Sequence, residues 1–543
     1  MLPKSTPAQT LSKIENKDKS YQLLIKSQTD MKFVIFLLCA LFINIDGLKI
    51  FGILPFASKS HWLVGHEIIK SLVDAGHEAT VLTAYPQKDK IRNYEEIDVS
   101  FIVDHFEKYE KFSPFDMAKM PKLLEIPILH NFGNALVELV MENQDVRNFI
   151  KTREKFDVCF LETFHGNALS GIFDHFDCIY VPYTSSSVLQ WADVMTSNLS
   201  PSSYVVTPIL PYAGKLNFAE RFWNTLYIQI ENVFYYTYHL PSQRALYNKY
   251  FPNARRTFDE MINGVPLIFL SSHNSVTGGR PNLPNMIEIG GIHIPKKKEL
   301  PKNIQEFLDS AVDGAVVFTM GSIVKAEEFP EHIRVAFTNA LGKIKQKVLW
   351  KYENETLPNK PDNMMISPWI PQRDILTHPN VKLFISHGGY LGTTEATQEG
   401  VPILGLPMYG DQGRNIAEIA YQERGLLLNI DDITEETILK SLTELLNNPK
   451  YKQNAEEVAK RFSDRVMTPQ QQVVFWTEYI ARHNGAPFLK SAGCDLSAIQ
   501  FYSLDVYGLM LAILLVVFYI QIKILKLIFN KLTGRSGKKL KKN

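Results

Sequence analysis

"SHGGYLGTTEATQEG", Ser386–Gly400, opens on a histidine and two glycines directly behind an apolar run and continues as helix-forming sequence. A strand that ends there hands the chain to a helix whose first N–H groups are unpaired and whose dipole presents its positive end. The glycines leave the backbone bare, so an anion can approach those N–H groups closely, and His387 offers a further donor to its oxygens. Taken alone, the same three residues serve equally well as a turn that merely reverses the chain. The sequence on either side decides between the two.

Working outward, short apolar runs recur as AVVFTMGS (315–322), KVLWKY (347–352), VKLFIS (381–386), VPILGLP (401–407) and GLLLNI (425–430), separated by polar or helix-patterned sequence. The same rhythm stands nearer the amino terminus: LKIFGILPF (48–56), the helix-patterned HWLVGHEIIKSLVDAGH and EATVLTAY, then FDVCFLE, HGNALSGIFDHF and CIYVPY. Strand–helix–strand repeats imply parallel pairing. The expected fold class is therefore α/β, with two facing Rossmann-like domains and ligands at the carboxyl ends of their strands. The Pro-, Gly- and Lys-rich stretch PNLPNMIEIGGIHIPKKKEL (281–300) reads as the linker between them. The expected division is 48–284 for the first domain and 285–500 for the second, the latter with a returning C-terminal helix.

Composition narrows the chemistry. A chain of 543 residues can bury two cores, and a net charge of +1 excludes a strongly basic nucleic-acid binder. Four cysteines without a CxxC spacing suggest neither a zinc site nor a disulfide-rich scaffold. Upstream of the His-Gly-Gly turn, SPWIPQRDIL offers Trp369 as a face for a flat base and Gln372 as an amide for a base edge or ribose. Downstream, Glu395 falls about two helical turns after His387 and can accept from ribose hydroxyls. LPMYGDQGRN then brings Asp411 and Gln412, an acid–amide pair suited to sugar hydroxyls, to the exit of the next strand. Singly these are a core Trp, a solvated Glu and a helix-capping Asp. In order, they describe base, ribose, diphosphate and sugar laid along one sheet edge.

The block Ser367–Asn415, SPWIPQRDILTHPNVKLFISHGGYLGTTEATQEGVPILGLPMYGDQGRN, resembles the signature of the UDP-glycosyltransferases, the animal UDP-glucuronosyltransferase branch in particular. FTMGS, the KVLW strand, VVFWTEYIARHNGAPFL, an apolar C-terminal segment and a lysine tail extend the likeness over nearly the whole chain from Leu48. The resemblance implies a GT-B architecture, with acceptor held by the first half and UDP-sugar by the second. It implies Trp369 on uracil, Gln372 on base or ribose, Glu395 on ribose, and His387, Gly389, Ser322 and Ser386 at the diphosphate, with Asp411 and Gln412 at the sugar. His61, in ASKSHWLVGHE, matches the family's catalytic base, and a neutral imidazole suits proton removal from an attacking hydroxyl. One in-line displacement would invert the anomeric centre. The residue that usually orients this histidine is Asp, and here Glu162 takes its place. The family's Asn near Gly392 is also replaced, by Leu391. His66 is expected to be structural, and Asp157 lies at the wrong end of its strand.

No metal is expected, because no Asp-x-Asp triplet occurs and amides, His387 and a helix dipole can carry the leaving charge. No cofactor is expected beyond the UDP-sugar co-substrate. The acceptor expected is a small lipophilic alcohol or phenol, and PYAGKLNFAERFWNTLYIQIENVFYYTY (Pro211–Tyr238) could wall its pocket, touch a bilayer, or be ordinary core. The alternative is a non-catalytic binder of UDP-sugar or lipophile. Residues 1–47 read as an extension and a signal peptide whose apolar run is Phe33–Ile43. Residues 504–522 read as a transmembrane helix and 523–543 as a basic cytosolic tail, ending in a KxKxx-like endoplasmic reticulum retrieval signal. This implies a single-pass type I protein with lumenal domains, and the sequons at Asn198 and Asn354 agree with it. Donor sugar, acceptor and homo-oligomer formation stay open.

Overall fold

Thirteen strands form two all-parallel sheets in a computed structural model that describes residues 47–109, 113–152, 154–186 and 190–534. The first sheet holds β1 (Lys49–Leu54), β2 (Glu78–Thr83), β3 (Tyr94–Asp98), β4 (Val158–Glu162), β5 (Ile179–Tyr183), β6 (Ile268–Leu270) and β7 (Met286–Glu288). Their spatial order is β3-β2-β1-β4-β5-β6-β7. The second sheet holds β8 (Ala315–Thr319), β9 (Lys347–Lys351), β10 (Met364–Ser367), β11 (Val381–Ser386), β12 (Ile403–Gly405) and β13 (Gly425–Leu427), in the order β10-β9-β8-β11-β12-β13. Each sheet reverses its winding once, between β1 and β4 and between β8 and β11. A crevice opens at the carboxyl ends of strands at such a switch point.

The central strands carry the expected continuous apolar burial. Residues Ile50–Leu54, Val158–Leu161, Val316–Phe318 and Leu383–Ile385 are closed to solvent, and Gly52 among them lets Ile69 pack onto β1. Strands missing from the sequence reading are short or broken in pattern: β3 is an acidic edge strand, YEEID, β10 is four residues, MMIS, and β6 and β7 are three residues each. β7 falls inside the stretch read as linker. Its Met286 and Ile287 are buried beside β6, so that part of 281–300 is the edge of the first sheet and not a connector.

Among the helices are α1 (Lys59–Asp74), α2 (Lys122–Glu142), α3 (Phe218–Phe234), α4 (Tyr390–Gln398), α5 (Gln412–Tyr421), α6 (Pro469–Arg482) and α7 (Leu504–Leu532). α6 returns across the molecule to pack on α1, where His77 Nε2 lies 3.4 Å from Glu478 Oε1. The described residues from Lys49 onward accordingly form one compact unit. A disulfide, Cys159–Cys178, ties β4 to the start of β5. Nothing in the cysteine spacing announced it.

α7 is exposed along its whole length and runs ten residues beyond the expected end at Ile522. At 1.5 Å per residue its 29 residues extend about 43 Å. That exceeds the hydrocarbon thickness of a bilayer, and the helix is long and apolar enough to cross one. The expected signal peptide and the retrieval-like tail lie outside the described residues. The aromatic stretch 211–238 divides three ways: Phe218, Phe222 and Trp223 face solvent, Tyr235 is core, and Tyr227 is buried beside Ile126 and Ile209.

Candidate active site

β1 delivers the chain to α1 through a short loop, and His61 stands in the first turn of that helix at the carboxyl edge of the sheet. β4, the neighbour of β1 across the switch point, ends on Glu162. His61 Nδ1 and Glu162 Oε1 are 2.8 Å apart. A carboxylate only accepts, so Nδ1 carries the proton and the Nε2 lone pair is left for a substrate. Glu162 is 2% exposed, His61 22%. Burial works against protonation of His61, but the Glu162 charge and hydrogen bond, with Asp411 adding to them, raise its pKa above the ordinary value. Phe164 and Phe56 wall the ring, at 4.9 and 5.6 Å between centroids. Ser185, just beyond β5, donates to the same Glu162 oxygen and stands 2.8 Å from His61 Nδ1. Sequence reasoning missed Ser185, since one serine among Thr184–Ser186 gives no signal of its own.

Facing this pair across a cleft of about 420 Å³ are loops from the second sheet. β11 ends on buried Ser386, whose Oγ accepts from Gly388 N at 3.3 Å. Gly388 has φ +86°, a conformation that suits glycine, and α4 begins two residues later. The His387 ring lies between two glycines. A Cβ on Gly321 or on Gly389 would each come within 2.5 Å of an imidazole atom, so both positions need glycine for the ring to sit there. Burial, with Lys351 adding to it, pushes the His387 pKa down to about 4. The ring is therefore neutral, and it offers a hydrogen bond to a phosphate without prior charge.

Gln372 donates to Glu395 Oε2 at 2.6 Å, which draws amide and carboxylate into one unit. Burial lifts the Glu395 pKa to about 7, the Gln372 bond opposing it. Asp411 stands at the start of α5 without capping it and accepts from Asn415, which also donates to Gly388 O. Burial raises the Asp411 pKa, and the nearby His61 opposes that rise. Gln412 is buried, and its carbonyl oxygen accepts from Met408 and Tyr409 N–H. Only its amide nitrogen remains for a ligand. Trp369 is 61% exposed at the cleft rim, with Lys59 Nζ from the first half 4.9 Å over its ring.

His61, Ser322, Trp369, Gln372, Ser386, His387, Gly389, Glu395, Asp411 and Gln412 thus all line the one cleft, and Glu162 stands behind His61. Leu391 also lines it, packed among Val276, Ile294 and Phe462, and its carbonyl lies 3.2 Å from His293 Nε2. An apolar side chain there adds no donor. Lys351 was missed: it is a buried cation at the end of β9, paired to Glu353 at 2.6 Å. A lysine closing an otherwise apolar strand was the available signal. His66 is buried against Trp62 and 3.1 Å from the Tyr94 hydroxyl, a packing role, and Asp157 accepts from Lys49 N at the opposite end of β4.

The sequence profile described as "UDP-glucoronosyl and UDP-glucosyl transferase" matches residues 53–539. The chain belongs to the UDP-glycosyltransferase family. A UDP-glycosyltransferase named UGT5 from Dactylopius coccus is 36% identical over 500 residues, covering 90% of this chain and 94% of that one. Mouse UDP-glucuronosyltransferase 2B17 is 30% identical over 503 residues, covering 88% and 93%. Among solved structures, the glycosyltransferase VinC in complex with dTDP superposes with TM-score 0.53 at 15% identity, over 80% of this chain and all of that one. The two sheets and their switch points are therefore the GT-B fold.

A second cavity of about 140 Å³ shares His61, Asp411 and Gln412 with the cleft and runs into the first half between Ile126, Leu129, Phe164, Trp191, Ile209 and Tyr227. Its lining is mainly apolar and aromatic, and it ends at the histidine.

Proposed function

We propose that this UDP-glycosyltransferase moves a hexosyl group from its UDP-sugar onto a hydroxyl of a small lipophilic acceptor, with inversion. The observation that carries the proposal is the His61–Glu162 pair, 2.8 Å apart where the donor cleft and the apolar cavity join. His61 Nε2 removes the proton as the acceptor oxygen attacks the anomeric carbon, Glu162 holds the ring and balances the developing imidazolium, and UDP departs toward His387 and the start of α4. Trp369, Gln372 and Glu395 hold uracil and ribose, Ser322, Ser386 and Gly389 hold the diphosphate, and Asp411 with Gln412 reads sugar hydroxyls. The UDP-sugar is the one co-substrate this scheme requires.

Glucose is favoured over glucuronic acid. A sugar carboxylate would lie near Asp411, whereas among the cations lining the cleft Lys351 pairs with Glu353, Lys59 lies over Trp369, and Arg373 stands at the Glu395 end of the cleft with Glu399. Placing two carboxylates together without a cation disfavours both charges. We further propose a lumenal, membrane-anchored placement. The Cys159–Cys178 disulfide suits an oxidising compartment, and α7 supplies an exposed anchor. Membranes bearing the full chain should convert UDP-glucose and a phenol panel to β-glucosides, faster than with UDP-glucuronic acid, and His61→Ala should abolish this. UDP binding without product from any acceptor would instead favour a binding protein.

A further inference from the structure

Beside the acceptor cavity, three histidines from distant parts of the chain converge. His130 comes from the middle of α2, His165 from the loop after β4, and His239 from the π-helical turn Tyr235–His239 that follows α3. Their exposures are 1%, 3% and 0%. Ring centroids lie 4.4 Å apart for His130–His165, 4.5 Å for His130–His239 and 5.2 Å for His165–His239. One nitrogen from each falls within 4.8 Å of the others. His130 Nδ1, His165 Nε2 and His239 Nδ1 are each buried without a hydrogen-bond partner. Three orphaned ring nitrogens in one place run against the rule that buried polar atoms are satisfied.

We propose that His130, His165 and His239 form a three-nitrogen site for a divalent transition metal of the zinc class. Zinc takes imidazole nitrogens at about 2.0–2.1 Å, which requires nitrogens about 3.3 Å apart, so a small inward movement of the rings completes the set. Asn167 Oδ1 lies 3.1 Å from His239 Nε2. With that oxygen accepting, the His239 proton sits on Nε2 and the Nδ1 lone pair is free, the outer-shell arrangement that orients a metal-binding histidine. Burial lowers all three pKa values, to about 4 for His130 and about 3 for His239, so the rings are neutral and ready to ligate. Two backbone features fall on the same cluster: His165 has φ +61°, unusual for a non-glycine residue, and His239 closes a π-helical turn. Such departures concentrate at functional positions. His130 and His165 also line the acceptor cavity, which leaves a fourth coordination position to a water from it.

The metal's role would be to position and not to transfer. His165 follows Glu162 by three residues, and Phe164, which walls His61, lies between them. A metal on His165 would fix that loop to α2 and to the turn after α3, and so fix the carboxylate behind the base.

The test uses the full chain, purified in detergent without a histidine tag, stripped with chelator and then given ZnCl₂ or CoCl₂ alone. About one zinc per chain should be retained after desalting, cobalt should give the strong visible absorption of a tetrahedral site, and the thermal midpoint should rise with zinc. His130→Gln and His165→Gln should each abolish retention. Asn167→Ala, which keeps all three ligands, should weaken affinity about 10- to 100-fold, which protects the test against a ligand variant that does not fold. The proposal is overturned if the stripped wild-type chain takes up no stoichiometric zinc, or if both histidine variants retain as much as wild type. Because metal content and spectrum are read without turnover, failure here leaves the glycosyl-transfer reading standing.

Discussion

Replacing Glu162 by Gln keeps the shape behind His61 and removes its charge. As the acceptor loses its proton, His61 becomes an imidazolium, and in the wild type that charge meets a carboxylate 2% exposed at 2.8 Å. A hydrogen bond to a charged partner contributes about 1.5–3 kcal/mol. At 1.36 kcal/mol per decade, its loss lowers kcat about 10- to 150-fold. The pH profile should move as well, in a defined direction. The active form is neutral His61, so the acid limb of kcat/KM follows its pKa, which stands above 6.5 in the wild type. Glu162→Gln removes the largest contribution raising that pKa and leaves burial, which lowers it. The variant should therefore keep its residual activity to lower pH than the wild type. Stability follows the same sign: a raised imidazole pKa stabilises the fold below the unfolded value and is lost as pH rises through the folded one. The assay is UDP release with a phenol acceptor across the acid range, with UDP affinity by calorimetry as control, since Glu162 lies outside the donor cleft. Activity within about threefold of wild type and an unmoved acid limb would refute the role given to Glu162.

Four further outcomes are expected. Trp369→Ala should raise the KM for UDP-sugar about 5- to 150-fold with a smaller change in kcat, because a base stacked on an aromatic face contributes about 1–3 kcal/mol. Gly389→Ala puts a Cβ 2.5 Å from His387 Nε2, and displacing that ring should weaken UDP binding about tenfold by calorimetry while leaving the thermal midpoint nearly unchanged. UDP affinity should rise as pH passes upward through about 7, where Glu395 ionises and accepts from ribose, and this dependence should vanish in Glu395→Gln. The paired change Cys159→Ser and Cys178→Ser should destabilise the fold by about 3 kcal/mol in a denaturant titration, for a bridge spanning 19 residues.

The parts of the fold legible in the sequence are those where local pattern and burial agree. β1, β4, β8 and β11 have apolar centres because these are covered on both faces, and each ends in a loop whose residues differ in kind from the strand's centre. That contrast is why His61, Ser322 and His387 could be placed at strand exits from the sequence alone. β7 defeats the same reasoning, since Met286–Glu288 is too short to show a period and sits among prolines and glycines. Ser185, Lys351 and the Cys159–Cys178 bridge were illegible for another cause: their partners lie in other strands, and pairings across a sheet leave no mark on spacing. The two sequons also need the structure to be separated. Asn198 is committed through its amide nitrogen to Asp193 Oδ1 and Pro281 O, whereas Asn354 is exposed with its carbonyl accepting from Thr356 N.

His61 is tuned from both halves of the molecule. Glu162 acts from behind within the first sheet, and Asp411 acts across the cleft from the start of α5, with each carboxylate adding to the basicity of the ring. The two effects have different origins. The Glu162 contribution comes from the strand next to the one that leads into the His61 helix, whereas that of Asp411 comes from the second half across the cleft. Asp411 is also the residue proposed to hold the sugar, and burial favours its neutral form. A donor whose hydroxyls bond to Asp411 favours its carboxylate form, and that added negative charge strengthens the neighbouring imidazole as a base. On the proposed scheme the base is therefore strongest when the donor's hydroxyls are bonded to Asp411.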